Sequence, residues 1–108
     1  MYNKSEDRAS HTLRRMGYKI LARNHRTSGA EFDILALKGE NYHLFEIKQI
    51  RQSNLNIYPI IGKTQQNRQF LAIQRLIDAD KEISIIPGLI IYNENNEILD
   101  FNPGWIYR

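Results

Sequence analysis

Apolar residues recur at helical spacing near the start of the chain. Ala9, Leu13 and Met16 stand at i, i+4 and i+7, and Gly17 is placed to end a helix over 4–16. Carried three residues backward from Ala9, the stripe lands on Glu6, a carboxylate at the end of the buried face. Asn3-x-x-Glu6 also reads as a capping box, and the helix alone leaves both roles open. Residues 18–23 then predict a strand, and Asn24-His25-Arg26-Thr27-Ser28-Gly29 a polar loop. Two short apolar runs, 31–37 and 42–48, flank a turn-like Lys38-Gly39-Glu40-Asn41 and predict an antiparallel hairpin. Residues 49–61 are polar, with Pro59 near their end, and predict a long loop. A second helix is expected over 63–79, with Phe70, Ile73 and Ile77 on one face and Leu76 beside them. Its stripe continues backward through Gln66 to Lys63. The run 83–92 predicts a buried strand interrupted by Pro87-Gly88, and 93–96 a turn into a last strand at 97–101. The order αβββαββ makes an α/β fold, a mixed sheet with helices packed on it, over one domain spanning 1–108.

The hairpin runs carry acids among core residues. Successive strand side chains point to opposite faces, so Leu44, Glu46 and Lys48 share one face and Phe45 and Ile47 the other. In the preceding strand Glu31 and Asp33 share a face, opposite Phe32, Ile34 and Ala36. Paired as a hairpin, the strands bring Asp33, Glu46 and Lys48 together. Such a cluster suits metal-assisted phosphodiester hydrolysis, because Mg²⁺ takes one or two carboxylates and fills its remaining positions with water and phosphate. A lysine two residues after an acid lies on the same face, about 7 Å along the strand, where it can orient the attacking water. Taken alone, D-x(12)-E-x-K is short and permissive, and an ordinary ion pair on a solvent-facing hairpin explains it as well.

Charge sharpens the picture. The net charge of +3 is unevenly spread: residues 1–75 hold 13 Lys/Arg against 6 Asp/Glu, and residues 76–108 hold 2 against 6. A basic front and an acidic back is what a phosphate-binding face requires. There is no cysteine, hence no disulfide or thiolate zinc site. No apolar run is long enough for a membrane span and the polar start does not read as a signal peptide, so a cytoplasmic protein is expected.

With Asp33 as first acid and Glu46-Ile47-Lys48 as E-x-K, the chain resembles the PD-(D/E)xK nuclease superfamily. Within it, the chain looks like the small YraN-like proteins and archaeal Holliday-junction resolvases. The resemblance runs from Glu6 through Gly17-Tyr18, Arg23-Asn24, residues 29–36 and Phe45-Glu46-Ile47-Lys48 to the helix at Lys63, roughly residues 4–75. It implies a restriction-endonuclease-like αβββαβ core. It further implies a metal site of Asp33, Glu46 and the Ile47 carbonyl, joined by Glu6 from the first helix. By the same resemblance Lys48 positions the nucleophile, and Lys63, Gln65 or Gln66 assists from the second helix. No proline precedes Asp33, and Ala30-Glu31-Phe32-Asp33 stands where YraN-like proteins carry Gly-Glu-x-Asp, which leaves the role of Glu31 open. The last thirty residues carry no part of the resemblance.

Lesser signals fall away. Gly62-Lys63-Thr64 imitates the end of a P-loop, but Ile57 stands where that motif needs glycine. His11, His25 and His43 show no mutual ligand spacing; His43 lies opposite Glu46 and reads as a core or edge histidine, and His25 as a loop residue near phosphate or solvent. Tyr92, Phe101, Trp105 and Tyr107 read as a packing cluster or dimer surface. The expectation is therefore a Mg²⁺- or Mn²⁺-dependent DNA endonuclease, structure-specific for junctions or branches, working as a homodimer. Arg23, Arg26, Arg51 and Arg68 are its expected phosphate contacts. The rival reading is a non-catalytic nucleic-acid-binding module that kept the fold; a protein–protein adaptor would leave the basic front unexplained.

Overall fold

The computed structural model describes residues 4–51 and 62–104. Its elements are α1 (Lys4–Arg15), β1 (Lys19–Thr27), β2 (Ala30–Lys38), β3 (Asn41–Gln49), α2 (Lys63–Ala79), β4 (Ser84–Tyr92) and β5 (Ile98–Asn102). The five strands form one sheet in the order β1-β2-β3-β4-β5. β1–β2, β2–β3 and β4–β5 are antiparallel, and β3–β4 is parallel, with α2 as the crossover. This is the mixed α/β sheet flanked by two helices that the hydrophobic pattern implied, and it is consistent with a restriction-endonuclease-like core. Among the described residues no helix is long and apolar enough to cross a membrane.

Alternation on the strands builds a core on each face. Ile34, Ala36, Phe45, Ile47, Ile90 and Tyr92 pack against Ala9 and Leu13 of α1. Leu44, with Leu35 and Ile85 at its margin, packs against Ala72 and Ile73 of α2. α1 ends as its sequence indicates: the Gly17 N–H donates to the Arg14 carbonyl, and the Tyr18 N–H to that of Leu13. Gly17 sits at φ +93°, the left-handed conformation this cap needs, and Leu13 and Tyr18 close the accompanying apolar contact.

Several local expectations are corrected. Met16 is exposed, and the inner stripe of α1 is Glu6, Ala9, Ser10 and Leu13. Phe70 is also exposed: the buried face of α2 is Gln66, Gln69, Ala72 and Ile73, because polar residues take the helix positions nearest the sheet. The expected loop at 24–29 is mostly strand. β1 continues through His25↔Phe32 to Thr27↔Ala30, and only Ser28-Gly29, both at positive φ, make the turn. Pro87-Gly88 does not interrupt β4. β5 pairs only with residues 89–92, so the proline lies where β4 is an edge, and Gly88 accommodates the Phe45 ring, which would lie 2.5 Å from a Cβ there. The loop expected at 49–61 begins one residue into β3's end, and residues 52–61, Asn3, Trp105 and Tyr107 lie outside the described residues. Tyr92 and Phe101 do pack with the α1-side core.

Candidate metal centre

The β2–β3 hairpin pairs regularly from Lys38↔Asn41 to Ile34↔Phe45 and then stops. One further step would set Asp33 opposite Glu46. Instead the strands part, and the Asp33 carboxylate takes the place of the lost rung, accepting the Ile47 N–H at 2.6 Å. On the other side of β2, the pairs Arg23↔Ile34 and His25↔Phe32 flank Asn24, which lies at φ +51°. Asparagine tolerates this left-handed conformation better than most residues. The local twist breaks simple alternation. Phe32 joins the α2-side core, whereas Ile34 and Ala36, two and four residues on, join the α1-side core.

Both helices bring polar side chains to this place. Glu6, 3% exposed, reaches Asp33 from α1, and Arg23 Nη2 lies 3.6 Å from its carboxylate while Nη1 bonds Asp7. Glu46, 6% exposed, meets Asp33 from the other side. Its Oε1 accepts from Gln65 at 3.3 Å and its Oε2 from Gln69 at 2.8 Å, both from α2. Lys48 Nζ stands 3.6 Å from Glu46 Oε1. Glu6 therefore comes to Asp33 from α1, while Glu46 is held against α2.

Three carboxylates in a part-buried gap repel one another. Burial, and then the charge of Glu46, lift Asp33 from its ordinary 3.8 to about 7, against the Ile47 N–H bond that favours its charged form. Glu6 is raised too, by burial and by Asp33, with Arg23 opposing. The donor set, all oxygen and including two carboxylates in contact, is what a hard divalent cation takes. Asp33 and Glu46 offer that chemistry, with Glu6 beside Asp33. Among the described residues no group of three or more histidine, aspartate or glutamate side chains is arranged to hold a metal ion by itself.

The shift on Asp33 has a thermodynamic consequence. In the metal-free protein the folded state holds a proton near pH 5 that the unfolded chain has released. Stability should therefore fall as pH rises from about 4 to about 7. His43 acts oppositely. Burial lowers its pKa, so it withdraws stability below its ordinary 6.5. The clean comparison is Asp33→Asn, whose melting temperature should decline less than that of the metal-free wild type between pH 5 and 8. Parallel melting curves would contradict the raised Asp33 pKa.

Other expected site residues fare differently. Gln65 and Gln69 bond Glu46; Gln66 is buried on the inner face of α2, and Lys63 opens the helix exposed. The sequence carried the signal for Gln69, because stepping back from Ile73 and Ala72 by four and three residues reaches it. Arg23 is engaged by Glu6 and Asp7, and Arg26 pairs with Glu31 at 3.4 Å. Arg51 and Arg68 are exposed. His43 is a core histidine, its Nδ1 3.1 Å from the Pro103 carbonyl and its ring stacked on Phe45.

Comparison with known proteins gives consistent matches. A family model described as uncharacterised protein family UPF0102 matches residues 5–91. Over 106 residues the chain is 31% identical to a UPF0102 protein of Caldicellulosiruptor saccharolyticus, covering 93% of this chain and 89% of that one. Over 86 residues it is 30% identical to a UPF0102 protein of Campylobacter jejuni subsp. doylei, covering 75% and 76%. A stretch of 43 residues is 54% identical to a UPF0102 protein of Kosmotoga olearia, 40% of this chain and 37% of that one.

Proposed function

This chain belongs to the UPF0102 family, and we propose that it is a metal-dependent DNA endonuclease of the PD-(D/E)xK type, selective for branched or junction DNA and active as a homodimer. The observation that carries the reading is the meeting of Asp33, Glu46 and Glu6 where the β2–β3 ladder opens, with Lys48 beside Glu46. Mg²⁺ or Mn²⁺ held by Asp33, Glu46 and the Ile47 carbonyl would acidify water and neutralise phosphate charge.

The chain's own residues supply the rest. Gln65 and Gln69 fix both oxygens of Glu46, so its orientation does not depend on an ion being bound. The Ile47 N–H fixes one oxygen of Asp33, and Glu6 and Glu46 meet the same carboxylate. Lys48, 32% exposed, is close enough to turn its ammonium from Glu46 to a nucleophilic water or a phosphate oxygen. Arg23 pairs with Glu6 beside the acids. Arg23, Arg26, Arg51 and Arg68 are the candidates for phosphate contacts. One site of this kind cuts one strand, so two copies would serve the two strands of a duplex.

The test is cleavage of linear, nicked, flapped and four-way-junction DNA by the purified protein with Mg²⁺ or Mn²⁺. Metal-dependent cuts, strongest on branched substrates, are expected. A clean preparation that binds DNA in a salt-dependent manner but cuts nothing and binds neither ion would leave the non-catalytic binding module in its place.

A further inference from the structure

Beside the acids lies a cleft of about 330 Å³, lined by Arg26, Gly29, Ala30, Glu31, Gln65, Arg68 and Gln69. We infer that this cleft seats one nucleotide of the nucleic-acid strand next to the phosphate being cut, with its phosphate on Arg68 and Arg26. The inference rests on the nuclease reading for its biological setting, but the site stands on its own geometry.

Its lining is mostly hydrogen-bonding and has no large aliphatic or aromatic wall, which disfavours an apolar ligand. It presents two guanidinium groups against one carboxylate. Gln65 belongs to the first turn of α2, which has no acidic residue and no side-chain cap, so the helix adds partial positive charge at the same place. The volume is at the small end of the range that holds a small organic molecule, enough for a nucleotide and far too little for a duplex. The walls are also held in place. Arg75 Nη1 donates to the Ser28 carbonyl at 2.7 Å, tying the β1–β2 turn to α2, and a side chain at Gly29, φ +92°, would begin 3.2 Å from that guanidinium.

Two residues belong to both the cleft and the acid cluster. Gln69 spends its amide N–H groups on Glu46 Oε2 and the Glu31 carbonyl, and Gln65 spends one on Glu46 Oε1. The Gln69 carbonyl oxygen and the second Gln65 N–H are the groups these bonds leave over. An occupant that engages them steadies the same glutamines that orient Glu46, so filling the cleft and ordering the acids are coupled. The Arg26–Glu31 pair, exposed and 3.4 Å apart, is weak enough to yield Arg26 to a phosphate.

The experiment is a titration of the full chain, free of divalent metal and at low salt, followed by NMR of the glutamine side-chain amides. The probes are thymidine 5′-monophosphate and single-stranded pentathymidylate. Both should shift the Gln65 and Gln69 signals saturably, the oligonucleotide at least tenfold more tightly. Arg68→Gln, checked for an unchanged fold by its backbone spectrum, should weaken both by tenfold or more, and Arg75→Gln should weaken them by loosening the wall. Tighter binding of the monophosphate would make this a free-nucleotide site and overturn the strand assignment. Shifts absent from Gln65 and Gln69, or unchanged in Arg68→Gln, would overturn the cleft itself. Cleavage is not read, so binding here without any nuclease activity would sink only the catalytic reading.

Discussion

Glu46→Ala and Asp33→Ala should each abolish metal-dependent DNA cleavage while leaving DNA binding in the absence of metal intact or tighter. Each acid supplies charge that a divalent ion would neutralise, and neither has a neighbouring acid able to replace it, since Glu6 is already held by Arg23. Losing a carboxylate that faces phosphate removes a repulsion, which is why affinity for DNA should not drop. Glu46→Ala also leaves Gln65 and Gln69 without their acceptor in a buried place, and a stability loss of about 1–3 kcal/mol is expected. Glu46→Gln separates the two effects by retaining an acceptor oxygen without the charge. It should fold like the wild type, fail to cut, and show Mn²⁺ affinity reduced tenfold or more by calorimetry. Either alanine variant cutting at the wild-type rate would remove its residue from the site.

Lys48→Ala should behave differently, slowing cleavage about 10²-fold, on the scale of a lost electrostatic stabiliser. In the metal-free protein its ammonium balances Glu46 at 3.6 Å. Once an ion balances the acids, that ammonium is redundant as a counter-charge and free to face the reacting water or phosphate. Divalent-ion affinity in Lys48→Ala should therefore stay level or rise, because a competing positive charge has gone. The single-turnover rate at saturating metal carries the loss. A variant that loses ion binding and rate together would make Lys48 a structural partner of Glu46. Glu6→Gln should be milder than either, giving the order Asp33 ≈ Glu46 ≥ Lys48 > Glu6.

Much of this architecture is written locally. Periodicity marks both helices, with α2 expected over 63–79 and found at Lys63–Ala79. The turn at Lys38–Asn41 and the two apolar runs specify the hairpin, because a slip of one residue would turn its core side chains to the wrong face. The spacing of Asp33 and Glu46 followed from that register. Glu6 was legible as a carboxylate on a buried stripe, since burying such a charge is costly without a partner.

What local pattern could not decide lies where strands stop obeying alternation. Nothing in the order of residues says that the β2–β3 ladder ends at Ile34↔Phe45, or that Asn24 takes a left-handed conformation across from Asp33. Those two features let Glu6 from α1 and Glu46, held against α2, reach one aspartate. That Gln69 joins Gln65 on Glu46, while Lys63 lies exposed, was likewise set by the rotation at which α2 docks, since a helix turns about 100° per residue and its docking angle comes from packing. Arg23 shows the same division. Its charge was plain in the sequence, but only the fold set it against Glu6 and Asp7. Element type and register come from short-range periodicity, whereas the partners of a charged side chain depend on which distant elements the packed core brings beside it.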